Sequence, residues 1–268
     1  MGYLTPPVDA PQRPDSTQDQ ADENLKSRIL YLRSFLLMRT LIGVMGVLLP
    51  VALLLGDGFL FEGGRPRGSL SAYYYSGMRD VFVSCLCVTA FFLIFYKFFE
   101  RNLENTLSAL AGVAAVGVAL FATGRPGGGT VPTSPLQDKL GEPFVQQVHY
   151  VCAATFILSL GVISYFFGRR EGARSQHRDG HTARFTPEFW RSFHYACAAG
   201  IGVAVAYIAL TEVFGWPDAY SLIIGETAAV LCFGASWLAK GLEIDILGSA
   251  AAAKDQIEAG TTEETAAV

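Results

Sequence analysis

Six long runs of apolar residues, nearly free of charge, set the strongest constraint on how this chain folds. Each run reaches the roughly 18–25 residues that a helix needs to cross a bilayer. Lipid cannot hydrogen-bond an irregular backbone, so segments of this kind cross as helices. The runs are Leu32–Leu55, Arg79–Phe99, Thr106–Thr123, Val145–Gly168, Phe193–Phe214 and Ala219–Leu242. The sequence therefore predicts an all-α, polytopic transmembrane helical bundle of six spans.

The overall composition agrees with a membrane protein. Only 16% of the residues are charged, whereas soluble domains carry roughly 25%. The charges that exist are concentrated between the apolar runs and at the two ends of the chain. We expect the lipid bilayer to surround the middle of the molecule, and we expect no nucleic-acid partner.

The two ends of the chain differ from the apolar block between them. Residues 1–28 are rich in Pro, Asp, Gln and Ser, a composition with little to bury, and they are predicted to be a disordered cytoplasmic tail. Residues 29–246 form the predicted six-helix transmembrane domain. Residues 247–268 form a second cytoplasmic tail, predicted to be mostly disordered. No cleavable signal peptide is expected, because the first apolar run begins after about thirty polar residues.

The distribution of Lys and Arg predicts the orientation. Fifteen of the 20 basic residues flank the spans on the side of both termini, and five lie on the opposite side. Positive loops stay in the cytoplasm, so the sequence predicts cytoplasmic N and C termini in a plasma (bacterial inner) membrane. The arginine-rich loop Arg169–Arg191 is predicted to attract anionic lipid headgroups.

Small residues mark the expected helix contacts, because close approach of backbones drives association in lipid. They recur on single faces of the third, fifth and sixth spans. These faces hold Ala111, Ala115 and Ala119; Ala198, Gly202 and Ala206; and Gly225, Ala229, Gly234 and Ala235. Interior packing in one bundle is one interpretation. Homo-oligomer formation through such a face is the other, and the sequence leaves both open.

Ionisable residues recur in the outer half of the spans. Arg79 and Asp80 open the second span, with Ser84 one turn further on, while His149 lies in the fourth and Glu226 in the sixth. An unpaired charge at bilayer depth costs several kcal/mol, so such groups should face inward and meet one another. These five residues are the predicted outward-facing polar pocket.

Three interpretations of this pocket stay open. A buried ion pair of Arg79 with Glu226 or Asp80 would fix the helix register. A ligand or proton site would use His149 and Glu226 as titrating groups. A metal site would use His149, Asp80 and Glu226 as ligands, with zinc as the cofactor.

Several short segments resemble known families. The run Ser71–Val83, with Ala119–Thr123, Val148-His149 and Gly225-Glu226, resembles a group of uncharacterised bacterial multi-pass membrane proteins, which carries no assigned activity. Ser84, Asp80 and His149 are similar to the Ser, Asp and His that the alkaline ceramidase and progestin/adiponectin receptor superfamily places around zinc. This second resemblance implies a zinc-dependent hydrolase.

The function predicted first is non-enzymatic: binding, transport or sensing of a small solute or a proton in the outward-facing pocket. The first alternative is a membrane-embedded, metal-dependent hydrolase of lipid amides or esters. The second alternative is a structural or assembly subunit, which the small-residue faces would favour.

Overall fold

The computed structural model describes residues 15–61, 65–95, 103–126, 131–175, 186–215 and 220–241, and in these ranges it contains helices and no strand. The all-α prediction is therefore confirmed for this part of the chain. It holds seven α-helices and one short 3₁₀ turn, called η1. They are α1 (Asp15–Leu60), η1 (Ser71–Tyr75), α2 (Arg79–Phe95), α3 (Leu103–Leu120), α4 (Pro135–Leu140), α5 (Glu142–Ser175), α6 (Pro187–Phe214) and α7 (Ser221–Gly241).

Five of these helices are long and apolar enough to cross a membrane. They are Ile29–Leu60 within α1, α3, Glu142–Glu171 within α5, Glu188–Thr211 within α6, and α7. The one remaining predicted span, the second in chain order, corresponds to α2, which is apolar but has 17 residues. Such a helix is about 25 Å long, a little less than a hydrocarbon core of about 30 Å. Residues 96–99, which complete the span predicted from the sequence, lie outside the described residues.

The chain divides into two compact units. The first contains Met1–Phe35 and Ile246–Val268. Its described residues, 15–35, are helical, so helix begins earlier than the sequence indicated, since disorder was expected up to residue 28. The predicted tail 247–268 lies outside the described residues. The second unit, Leu36–Asp245, contains everything discussed below.

Glycine allows the closest helix contact of the second unit, between α1 and α7. A Cβ atom on Gly46 would lie 2.9 Å from the Gly234 Cα, and one on Gly234 would lie 2.7 Å from the Val47 N. Two turns further along α7, a Cβ on Gly241 would lie 2.6 Å from the Thr40 N. These distances leave no room for a side chain, so the backbones touch as expected for small-residue contacts in lipid.

The small-residue faces differ in burial: those on α3 and α7 are largely buried, and the one on α6 is largely exposed. On α3, Ala111, Ala115 and Ala119 are buried, and on α7 so are Gly225, Ala229 and Gly234. Interior packing is thus confirmed for those two helices. The face on α6 differs, because Gly202 and Ala206 are exposed and a Cβ on Gly202 would meet nothing within 4 Å. Interior packing of this face was therefore wrong, since α6 turns other residues, such as Ile201 and Ala204, inward.

Helices that follow one another run in opposite directions, so polar groups gather at two ends of the unit. One end holds η1, the C-terminal end of α1 and the first turns of α5 and α7, and we call it the η1 end. The other end holds Arg39 of α1, the first turn of α3 and the last turn of α7, and we call it the Lys240 end. Thr186 caps the start of α6 by accepting a hydrogen bond from the Phe189 N at 3.3 Å, and Pro187 follows at the first helical position.

Candidate functional site

A cavity of about 50 Å³ lies within the bundle, below η1. Helices α1, α2, α3, α5 and α7 contribute to its wall, and most of the wall is apolar. Glu226 is the ionisable residue among those that line it, and Ser71 and Thr89 add hydroxyl groups. A single carboxylate in an apolar cavity is the arrangement that most often marks a binding site in a membrane protein.

Glu226 holds the start of η1. Its Oε2 accepts a hydrogen bond from the Leu70 backbone N–H at 2.6 Å, and the Ser71 backbone N–H is a second donor. Leu70 and Ser71 also line the cavity. The first N–H groups of a helical turn have no partner within the turn, so this carboxylate supplies one from the opposite side of the fold.

The segment that carries η1 is fixed by further contacts at both of its ends. Before η1, the Arg67 Nε lies 3.1 Å from the Asp57 Oδ2, and Asp57 is buried. At the end of η1, the Tyr75 hydroxyl donates to the Thr123 carbonyl at 2.7 Å and accepts from the Gln137 Nε2 at 2.8 Å. The segment therefore forms a firmly attached cover over the cavity.

Arg79, Asp80 and Ser84 are exposed at the start of α2 and do not line the cavity. The Arg79 guanidinium donates to the Tyr74 hydroxyl at 2.8 Å and lies 4.4 Å from the centre of its ring. This aromatic partner is what makes a cation tolerable at the helix start. Arg79 is thus stabilised locally by η1, and the structure does not bring Arg79 or Asp80 to the cavity that Glu226 lines.

His149 is buried, with 2% of its surface exposed, but it too lies outside the cavity lining. Its Nδ1 is 2.6 Å from the Phe121 carbonyl oxygen. Since a carbonyl only accepts, Nδ1 carries the proton. Phe121 directly follows α3, so the imidazole satisfies a carbonyl at a helix C-terminus, where the helix itself provides no donor.

The part of the chain that the structure describes contains no group of three His, Cys, Asp or Glu side chains that could hold a metal ion. His149, Asp80 and Glu226, the alternative zinc ligands, have separate environments: a carbonyl partner, an exposed helix start and the cavity wall. The residues present do not fit a three-ligand zinc centre.

The sequence interpretation missed a second group of buried charges, at the Lys240 end. Lys240 pairs with Glu171, and both are buried. The Arg170 guanidinium lies 2.5 Å from the Glu104 Oε2, and Glu104 is buried as well. The Arg39 guanidinium lies 5.4 Å from the centre of the Phe167 ring. These six residues with His194 form what we call the Lys240 cluster.

His194 completes this cluster from α6. Its Nδ1 lies 2.9 Å from the Ser236 hydroxyl, and 1% of its surface is exposed. Its ring meets the Phe167 ring edge-on at 5.7 Å. Two signals in the sequence could have indicated the cluster: Arg39 interrupts the first apolar run, and Lys240 lies fourteen residues after Glu226, on the same face of a helix.

Comparison with known proteins adds no family to these observations. No protein-family model, no curated protein and no solved structure matches the chain.

Proposed function

We propose that this chain is an integral protein of the plasma (bacterial inner) membrane that crosses the bilayer six times, with both termini in the cytoplasm. Five apolar helices and the 17-residue α2 support the six spans. The excess of Lys and Arg on the side of the termini supports the orientation. In this orientation the η1 end faces outward and the Lys240 end faces the cytoplasm.

We further propose that the protein binds a proton at Glu226, without catalysing a reaction. The observation that carries this proposal is the Glu226 carboxylate in the wall of an otherwise apolar cavity. Placing a carboxylate at such a site is costly for a fold whose only need is stability, because desolvation penalises the charged form. A role in proton binding explains why the chain has an acid there.

The size of the cavity argues against a large solute. A cavity needs roughly 10–15 Å³ of accessible volume to hold one water molecule, so about 50 Å³ holds a few waters. A lipid chain or an aromatic solute needs considerably more space, since a cavity of about 150 Å³ is what holds benzene. A proton that arrives through water needs no additional room.

The hydrolase alternative has less support from the described residues. Its three candidate ligands have separate environments, and Ser84, which the resemblance to that superfamily included, is exposed. The attraction of the loop 169–191 to anionic lipids stays a prediction, because residues 176–185 of that loop lie outside the described part of the chain.

Infrared spectroscopy of the purified full-length protein in lipid tests proton binding directly. Spectra taken across a pH titration should contain a carboxylic-acid carbonyl band that is absent from Glu226→Gln. Glu142→Gln is the matched control, since Glu142 lies at the surface with Arg125 as its partner at 2.8 Å, and it should keep the band. An unchanged band in Glu226→Gln contradicts the proposal. A sodium-dependent shift of the carboxylate bands without an acid band would assign the site to a metal cation instead.

A further inference from the structure

Helix α7 connects the cavity to the Lys240 cluster along one face. Glu226, Val230, Phe233, Trp237 and Lys240 follow one another at alternating spacings of four and three residues, which places them on one side of a helix. With a rise of 1.5 Å per residue, Glu226 and Lys240 are about 21 Å apart along the helix axis. The two ionisable residues therefore lie at opposite ends of one stripe, which is buried from Phe233 to Lys240.

Aromatic rings fill the space between these two ends. Phe233 forms part of the cavity wall, and its ring centre lies 5.7 Å from that of Trp237. The Trp237 ring in turn lies 5.3 Å from Phe167, the residue around which Arg39 and His194 gather. Phe233, Trp237 and Phe167 are 2%, 0% and 0% exposed, so these three rings close the path between the cavity and the cluster.

We propose that Phe233, Trp237 and Phe167 form a hydrophobic gate, and that the protein conducts protons from the Glu226 cavity to the Lys240 cluster when this gate admits water. The inference rests on the proposed function, because Glu226 is the group that receives the proton on the outer side. Apolar constrictions of this kind stop conduction by excluding water, and they open when a small movement lets water enter.

The Lys240 cluster supplies the acceptor on the inner side. Protonated Glu226 releases its proton to a water molecule and becomes a carboxylate. The resulting hydronium protonates the Glu171 carboxylate, which loses its charge and with it the ion pair to Lys240. Glu171 then passes the proton to cytoplasmic water, and its ion pair forms again. Lys240 is the ionisable group that contacts Glu171 directly. The other ionisable members of the cluster are Arg170, which pairs with Glu104, and Arg39 and His194, which contact Phe167.

A flux assay on the full-length protein in liposomes tests the gate. The liposomes carry an internal pH-sensitive dye, and valinomycin with potassium balances the charge. Phe233→Ala should conduct protons at least about tenfold faster than wild type, because removal of one ring admits water to the constriction. Phe91→Ala, at a ring on the exposed face of α2, is the matched control and should match wild type.

A double variant and a comparison of wild type with Glu226→Gln separate proton conduction through the gate from a non-selective leak. Phe233→Ala combined with Glu226→Gln should fall to the rate of Glu226→Gln alone, and a double variant that conducts as fast as Phe233→Ala would reveal a non-selective hole and overturn the gate. If Phe233→Ala fails to accumulate, Phe233→Leu takes its place, and wild type should still conduct faster than Glu226→Gln. Equal rates in all of these variants overturn conduction. If the infrared titration of Glu226 nevertheless succeeds, proton binding stands and the gate alone is lost.

Discussion

Both ends of the bundle hold an ion pair with a buried carboxylate, Asp57 with Arg67 at the η1 end and Glu171 with Lys240 at the other, but Glu226 and His149 bind a different kind of partner from Lys240 and His194. At the η1 end, Glu226 accepts from a backbone N–H and His149 donates to a backbone carbonyl. At the Lys240 end, Lys240 pairs with the Glu171 carboxylate, and His194 with the Ser236 hydroxyl. In the first case a side chain completes a helix terminus, and in the second it joins two helices.

This difference indicates what each end can do. A group that completes a helix terminus can exchange its partner for water or a proton while the helices stay packed. Opening a buried ion pair without a proton to neutralise the carboxylate is harder, because each charge left alone in a low-dielectric interior is costly. The η1 end is therefore suited to binding, and the Lys240 end carries more of the stability.

Removal of one partner of the Lys240–Glu171 pair should have the largest effect. Lys240→Met leaves the buried Glu171 carboxylate without this cation, which costs about 3–5 kcal/mol of the free energy of unfolding. Unfolding of the purified protein by SDS titration measures this loss. Adding Glu171→Gln should recover most of the stability, since two neutral groups replace two charges. A Lys240→Met variant as stable as wild type would contradict the conclusion that the Lys240 end carries more of the stability.

A side chain at the α1–α7 contact should have the next largest effect. Gly234→Val forces a side chain against the Val47 backbone, and overpacking of this kind costs about 1–3 kcal/mol. Gly202→Val on α6 is the matched control, because a Cβ there meets nothing within 4 Å, and it should leave the midpoint of thermal unfolding unchanged. Equal losses in the two variants would argue against the packing described here.

Replacement of His149 tests the role of side chains at the η1 end. His149→Ala removes the donor to the Phe121 carbonyl, and a buried polar group left without its partner costs about 1–3 kcal/mol. His149→Asn should recover part of this loss, because its amide N–H lies close to the position of the imidazole Nδ1. Thermal unfolding of both variants in detergent compares them. If Asn is no better than Ala, the imidazole has a role other than hydrogen bonding to α3.

The smallest effect concerns Tyr75 and appears at alkaline pH. Burial raises the pKa of the Tyr75 phenol above its ordinary value of 10.0. Because the folded state holds this proton more tightly, the contribution to stability is complete below about pH 10 and is lost as the pH rises through the folded pKa. Tyr75→Phe should cost about 0.5–1.5 kcal/mol at neutral pH, from the hydrogen bond to Thr123.

The difference in the free energy of unfolding between wild type and Tyr75→Phe should then shrink above pH 10. Tyr73 stays in both proteins, and burial raises its pKa as well, so its contribution cancels in the comparison. A difference that stays constant with pH would show that the Tyr75 proton is not held by the fold.

The helices were easier to predict from the sequence than the partners of their polar side chains. Run length and lack of charge decide whether a segment becomes a helix in lipid, so the all-α class followed directly. The partner of Glu226 is a backbone N–H 156 residues earlier in the chain, and no side-chain pattern marks it. The rotation of α2 about its axis decides whether Arg79 contacts Glu226 or Tyr74. In the structure Arg79 contacts the Tyr74 ring and hydroxyl.

The Lys240 cluster had a signal in the sequence that was interpreted only in part. Arg39 and Lys240 were counted only among the basic residues that predict the orientation, although both lie within or beside apolar runs. Their burial, at 4% and 2% exposed, shows that a basic residue near the end of an apolar helix can also be an interior one. Lys240 lies on the same face of the helix as Glu226, and this spacing is the feature that distinguishes an interior Lys240 from one that only flanks the bundle.

The most direct test of this account is whether the two ends lie on opposite sides of a membrane. Gly68 precedes η1 and Ser192 lies in the first turns of α6, and both are exposed. In intact cells, a membrane-impermeant thiol reagent should label Gly68→Cys, and it should label Ser192→Cys only after the membrane is permeabilised. Wild type, whose described cysteines lie within helices, gives the background. Labelling of both variants from the same side would contradict the bundle as a membrane-spanning structure.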